Sequence, residues 1–260
     1  MKIVRFRTGG RTRYGIAKGD EITETRGSPF RGQLRMTGPV HRLCDVRLLP
    51  VTAPVQIFGG VGVNYRDHTL QAEETTASKI GEMGIQPFHK SNASLAGCGW
   101  PIILTPEAAE VHYEGELVIV MGRKARHVSQ ENALDHVLGY TCGNDVSEKG
   151  GWEKDFSFWR CKSLPSWGPV GPWIATDVDP HNLDVTVRLN GRVEHRFNTR
   201  SMIHDVAMIV SYISEYATLF PGDLIFTGTS GTTRPLKPGD VVEVEISGIG
   251  TLENPVVMEK

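Results

Sequence analysis

Apolar and polar residues alternate over residues 1–7 (MKIVRFR) and 13–18 (RYGIAK), as they do in half-buried strands. The turn-forming TGGRT between them predicts an opening hairpin. Farther along, YEGELVIVMGR, LDVTVRLNGRV, DLIFTGT and DVVEVEISGIG are short runs rich in Val, Ile and Leu, bounded by Gly, Pro, Asn or Asp, and each reads as a strand. Asn190-Gly191 carries the signal of a two-residue hairpin turn. Two stretches have helical spacing. SQENALDHVLG starts behind a capping Ser129, and SMIHDVAMIVSYISEYATL places Ile203, Val206, Ile209, Val210 and Ile213 on one face. The pattern therefore predicts a mostly β protein with a few helices, an α+β chain.

LLPVTAPVQIFGGVGV, residues 48–63, passes through two prolines into a glycine-rich apolar run, a composition shift suited to a junction near Pro54. We expect a small N-terminal β domain over 1–54 and a larger, sheet-dominated domain over 55–260. No internal repeat or low-complexity segment points to a solenoid or a disordered module.

Composition narrows the function classes. Lysine and arginine number 28 against 30 acidic residues, a net charge of −2, which argues against an electrostatic nucleic-acid partner. No apolar window reaches the roughly 18 residues of a membrane-spanning helix. The start of the chain lacks the apolar stretch of a signal peptide, so the expected location is cytoplasmic. Cys44, Cys98, Cys142 and Cys161 are irregularly spaced, match no zinc pattern and read as reduced structural thiols.

The chemistry concentrates around acidic residues. Glu114 and Glu116 stand two apart in an apolar run, so on a strand they share a face, where like charges raise pKa values or call for a cation. An all-oxygen set selects hard ions such as Mg²⁺, Mn²⁺ or Ca²⁺. Asp145 in GYTCGNDVSEK supplies a third carboxylate at a glycine-rich strand end, where backbone approaches a ligand closely. Asn64-Tyr65-Arg66-Asp67-His68 puts a histidine at a strand-to-loop corner, where a neutral imidazole can take a proton. No GxGxxG or P-loop spacing follows a strand.

GVGVNYRDH, YEGELVIVMGR, GYTCGNDVS, CKSLPSWGPVGPWI, GDLIFTGTSG and LKPGDVVEVEISGIGTLENPV stand in an order that resembles the fumarylacetoacetate hydrolase superfamily over roughly residues 55 to 257. The resemblance implies a mixed β-sandwich roll, a homodimer and one Mg²⁺ or Mn²⁺ held by Glu114, Glu116 and Asp145. It implies that His68 is the general base and that Lys162 faces the substrate and stabilises negative charge. Thr229, with Gly228, would bind a substrate carboxylate, and Tyr65, Lys149 and Lys90 would join the substrate-binding set.

This sequence departs from the family pattern at several positions. Gln71 stands where relatives carry a Glu that orients the base; a Gln can hold a water or a ring N–H but cannot accept a proton. In a helical turn from residue 68, Glu73 and Glu74 point away from His68 and do not replace it. Lys149 takes an arginine position and loses the bidentate fork, and either Trp152 or Glu153 falls where relatives have Gln. Ser91 and Ser230 stand in place of prolines.

What the resemblance implies is a divalent-metal-dependent enzyme acting on a 2-oxo or β-diketo acid through an enolate, with C–C hydrolysis first. Gln71 favours an alternative, an isomerase or decarboxylase of a dicarboxylic 2-oxo acid in the breakdown of aromatic compounds. A second alternative is a decayed relative that keeps the fold as a binding module. The partner expected in every case is a small carboxylic acid.

Overall fold

The computed structural model describes residues 1–59, 61, 63–65, 84–151 and 155–260. Four strands open the chain: β1 (Lys2–Thr8), β2 (Arg11–Lys18), β3 (Glu21–Ser28) and β4 (Arg31–Arg42), a meander of antiparallel pairs. The β1–β2 hairpin runs in register from Lys2↔Ala17 to Thr8↔Arg11, as the alternation predicts. Gly9 and Gly10 turn it with φ of +51° and +74°, a backbone that suits the right-handed twist of the strands and that glycine adopts without penalty.

The chain continues through β5 (Arg47–Leu48), β6 (Ile57–Gly59), β7 (Phe88–Lys90), β8 (Leu95–Ala96), β9 (Ile102–Leu104) and β10 (Val111–His112). Next come β11 (Gly115–Met121), β12 (Val137–Asn144), β13 (Ser147–Glu148) and β14 (Gly168–Ala175). Last are β15 (Asp184–Leu189), β16 (Arg192–Asn198), β17 (Leu224–Phe226), β18 (Val241–Ile246) and β19 (Gly250–Met258). Among the described residues the large sheet has the order β4-β3-β2-β1-β14-β12-β11-β17-β6-β7, with β5 on β1 and β8 on β14. A second sheet, β16-β15-β18-β19-β9, packs against it, and β10 pairs with β13. The mostly β, α+β class is borne out. The first four strands join the large sheet through β1 and β14, with Lys2 opposite Ala175, and the junction expected near Pro54 lies between β5 and β6.

The central strand β11 explains both layers and the site. Every residue of Gly115–Met121 is buried. Its odd positions Leu117, Ile119 and Met121 enter the core shared with Val185, Val187, Val242 and Val244 of the second sheet. Its even positions Val118 and Val120 enter a second core with Ile3, Val170, Ile174, Leu224 and Phe226. Each such side chain contributes on the order of 1.5–3 kcal/mol when fully buried. A Cβ at Gly115 would come within 2.6 Å of Val187, so the sheets approach too closely there for a side chain. Strand parity puts Glu116 on the face away from the second sheet.

Both expected helices are shorter than the pattern suggests. SQENALDHVLG forms one turn, Gln130–Ala133, and a 3₁₀ turn, Leu134–His136. From Val137 the chain enters β12, because β11 offers it ladder positions from Val137 to Asn144 and β14 pairs with it from Tyr140 to Gly143. Ser129 stands at the helix N-cap position but makes no side-chain cap bond to a backbone N–H. The second helix runs Val206–Tyr216. Asp205 starts it by accepting from the Met208 N–H at 2.8 Å, which leaves Ile203 outside the helix. Asn190 and Gly191 both have positive φ and close the β15–β16 hairpin as expected. All four cysteines are free thiols, and no described helix is long and apolar enough to cross a membrane.

Candidate active site

Three carboxylates converge where β11 begins and β12 ends. β11 and β12 run antiparallel with Gly115 opposite Asn144 and Glu116 opposite Gly143. Asn144 Oδ1 accepts from the Glu114 N–H at 2.9 Å, and the Asp145 N–H donates to the Glu114 carbonyl at 2.9 Å. These two bonds tie the ends of the strands together. A Cβ at Gly143 would lie 2.3 Å from Val118 Cγ2 and 2.7 Å from the Phe226 ring, which accounts for a glycine in that segment. Ligand oxygens of Glu114, Glu116 and Asp145 all fall within 4.8 Å of one another, as the two-residue spacing and the glycine-rich strand end led us to expect.

Two lysines answer this charge. Lys162, the last residue of a one-turn helix Trp159–Lys162, donates from Nζ to Glu114 Oε2 at 2.7 Å and to Asp145 Oδ2 at 2.7 Å. Lys90, the last residue of β7, donates from Nζ to Asp145 Oδ1 at 2.6 Å and to the backbone oxygen of Lys162. The Lys90 and Asp145 side chains have no solvent exposure, whereas Lys162 keeps 14% and Glu114 18%. Asp145, Glu116 and Lys90 therefore form a floor, and solvent reaches the cluster past Glu114 and Lys162. The Phe88 ring stands 5.3 Å from the Lys162 ammonium and 5.2 Å from the Phe158 ring at that side.

Burial is the largest influence on Glu116, and repulsion from Asp145 and Glu114 adds to it, so its pKa is held well above the usual carboxylate range. Asp145 is as deeply buried, yet Lys162 and Lys90 together outweigh desolvation and keep its pKa low. For Lys162, desolvation is again the largest single influence. The pull of Asp145, Glu114 and Glu116 exceeds it and raises the ammonium above the ordinary lysine range. Desolvation is likewise the largest influence on the wholly buried Lys90, and the pull of Asp145 does not fully offset it, so its pKa lies below the ordinary lysine range.

The loop after β17 closes one side. Gly228 donates from its N–H to Glu116 Oε2 at 2.7 Å, and Thr229 donates its hydroxyl to the Gly115 carbonyl at 2.9 Å. Gly228 has φ +95°, and a Cβ there would meet Asn64 Cβ at 2.9 Å. Gly228→Ala is therefore expected to cost about 1–3 kcal/mol of stability and to pull the donor away from Glu116. Urea unfolding beside a cation titration measures both effects.

Asn64 pins this loop. Its Nδ2 donates to the carbonyls of Thr227 at 2.7 Å and His204 at 3.0 Å, and its Oδ1 accepts from the His204 N–H at 2.8 Å. The buried Tyr65 ring meets Phe197 edge-on at 4.9 Å, and its hydroxyl has no hydrogen-bond partner among the described residues. Burial and the nearby Glu116 charge raise the pKa of Tyr65.

The structure thus brings together Glu114, Glu116, Asp145, Lys162, Lys90, Gly228 and Thr229. Lys149 is exposed beyond β13 and makes no ion pair with the three carboxylates. His68, Gln71, Glu73, Glu74, Trp152 and Glu153 lie outside the described residues. Asn64, Asn144 and Phe88 went unread in the sequence. The first two adjoin Tyr65 and Asp145, and that adjacency was the available signal.

Three carboxylates this close, with no sulfur or nitrogen donor among them, suit a hard divalent cation, which Glu114, Glu116 and Asp145 would hold. Residues 57–257 match the family described as fumarylacetoacetate (FAA) hydrolase C-terminal. This chain belongs to the fumarylacetoacetate hydrolase family. Residues 1–50 match a second description, Rv2993c-like, N-terminal. The chain is 44% identical over 239 residues to protein Rv2993c of Mycobacterium tuberculosis, a match covering 88% of this chain and 85% of that protein. It is similar to the crystal structure of 2-hydroxyhepta-2,4-diene-1,7-dioate isomerase from Mycobacterium marinum, with 38% identity and a TM-score of 0.89 over 100% of this chain and 99% of the other. Maleylpyruvate hydrolase from Sphingobium sp. SYK-6, solved with manganese(II) and pyruvate, has 29% identity and a TM-score of 0.80, with both chains covered fully. Members of the fumarylacetoacetate hydrolase family thus include both hydrolases and isomerases.

Proposed function

We propose that this chain is a Mg²⁺- or Mn²⁺-dependent enzyme that acts on a small 2-oxo or β-diketo acid, with hydrolysis of a C–C bond as the first reading. The observation that carries it is the convergence of Glu114, Glu116 and Asp145 within 4.8 Å, with Lys162 Nζ on two of them, in a member of this family. A divalent cation, when bound, supplies Lewis-acid polarisation of the substrate's carboxylate and keto oxygens. The remaining work falls to side chains. Lys162 is a fixed ammonium beside the entrance and stabilises negative charge as it develops on the substrate. Thr229 spends its hydroxyl hydrogen on Gly115, so a substrate carboxylate at this loop is held by backbone N–H groups, not by the hydroxyl. His68 moves the proton or activates water, and Gln71 orients it. Lys149 and Tyr65 contact the rest of the substrate, and two copies of the chain associate as a homodimer.

Gln71 favours a second reading, isomerisation or decarboxylation, because an amide cannot accept a proton and these reactions ask less of an activated water. The third reading, a decayed binding relative, draws on the substitutions at 71, 149 and 230 and is opposed by the intact carboxylate trio. The test is turnover of oxaloacetate, an acylpyruvate, fumarylacetoacetate and a 2-hydroxy-diene dioate with Mg²⁺ or Mn²⁺. Cleavage of the acylpyruvate or fumarylacetoacetate is expected; activity on oxaloacetate or the diene alone would favour the second reading. His68→Ala is expected to lower turnover by about 10²–10⁴ with cation binding intact. Unaltered turnover in that variant would sink both enzymatic readings.

A further inference from the structure

The Lys90 side chain is wholly buried, and an ammonium without solvent needs partners for its hydrogens. It has Asp145 Oδ1 and the Lys162 carbonyl, and the Phe226 ring lies 5.9 Å away. Its stem runs beside Gly168 of β14, where a Cβ would come within 3.3 Å of Lys90 Cε. The two acceptors belong to different parts of the site. Asp145 follows the end of β12. Lys162 ends a single helical turn, too short to hold itself, whose terminal carbonyls lack intrahelical partners. One residue on, the Ser91 N–H donates to Ser163 Oγ at 3.1 Å, so β7 fastens the end of that turn at two points.

We propose that Lys90 is a positioning residue rather than a substrate ligand: it clamps Asp145 to the Lys162 turn, so that the Asp145 carboxylate and Lys162 keep fixed places beside Glu114 and Glu116, where the trio would hold a cation. The inference rests on the reading of the trio as a cation site. Coulomb's law separates this role from a purely electrostatic one. Taking a positive charge away from beside the site would, by itself, tighten cation binding. Loss of a clamp on a ligand weakens binding, typically by about 10–100-fold for residues that orient metal ligands.

The test is Mn²⁺ calorimetry and Mn²⁺ electron paramagnetic resonance on wild type, Lys90→Met, Lys90→Gln and a control, Glu24→Gln, which breaks a distant ion pair with Arg13. Lys90→Met, with a native circular dichroism spectrum, is expected to bind Mn²⁺ about 10–100-fold more weakly with an altered resonance spectrum. Lys90→Gln, which keeps N–H donors, is expected to recover part of the affinity, and Glu24→Gln to match wild type. Should Lys90→Met fail to fold, Lys90→Gln decides alone through the same two measurements. Equal or tighter binding with an unchanged spectrum overturns the clamp. Absence of Mn²⁺ binding in wild type overturns the cation site itself, a distinguishable failure.

Discussion

Asp145→Asn is expected to remove cation binding, to lower turnover by at least about three decades and to cost about 3–5 kcal/mol of stability. The stability loss follows from the partners of this residue. Asp145 is the carboxylate shared by both lysines, with Lys90 on Oδ1 and Lys162 on Oδ2, all within 2.7 Å. An amide of the same shape leaves the buried Lys90 ammonium without an anion, and breaking a buried ion pair from one side costs more than the pair contributed. The loss of turnover follows from the chemistry: Lewis-acid polarisation is worth several kcal/mol, and about 1.4 kcal/mol is a decade in rate. Urea unfolding in chelator and turnover at saturating Mn²⁺ measure the two parts separately. Wild-type stability with lost activity would show that the lysines find other partners.

Lys162→Met is expected to lower turnover by about 10²–10³ while tightening cation binding, the opposite sign from Lys90→Met. Its ammonium sits on Glu114 Oε2 and Asp145 Oδ2, so its removal takes away both a competitor for those atoms and a repelling charge. What is lost is the fixed positive charge that meets charge developing on the substrate. In chelator the variant is also expected to melt lower, because three crowded carboxylates keep only Lys90. Mn²⁺ at about 100 times its dissociation constant should restore about 2.7 kcal/mol. Weaker Mn²⁺ binding by Lys162→Met would mean that this lysine, too, acts by holding the ligands in place.

Much of this architecture was legible because strands announce themselves by period-two alternation and glycine-bounded apolar runs. β1, β2, β11, β15 and β18 fall where the pattern puts them, and the Asn190-Gly191 turn closes its hairpin. The carboxylates were legible for the same reason: residues two apart on or beside a strand share a face. Sheet order was not, because Lys2 pairing with Ala175 is a contact between distant parts of the chain that no local pattern encodes. Residues 137–139 read as the end of a helix by spacing, but open ladder positions on β11 draw them into β12. Lys90 shows the limit most clearly. The family resemblance suggested a pocket residue, and only the fold reveals that its ammonium donates to Asp145 and to the Lys162 carbonyl.

The central claim is that Glu114, Glu116 and Asp145 form a divalent-cation site, and calorimetric titration of Mn²⁺ into chelator-treated protein tests it most directly, with Glu116→Gln alongside. Gln is the mildest change available, since burial and repulsion already favour the neutral form of Glu116 and the Gly228 N–H keeps an oxygen to bond. The expected result is one Mn²⁺ per chain for wild type and binding weakened beyond detection for Glu116→Gln, with both proteins folded. Heat-silent wild type, or equal binding by the two proteins, would contradict the account.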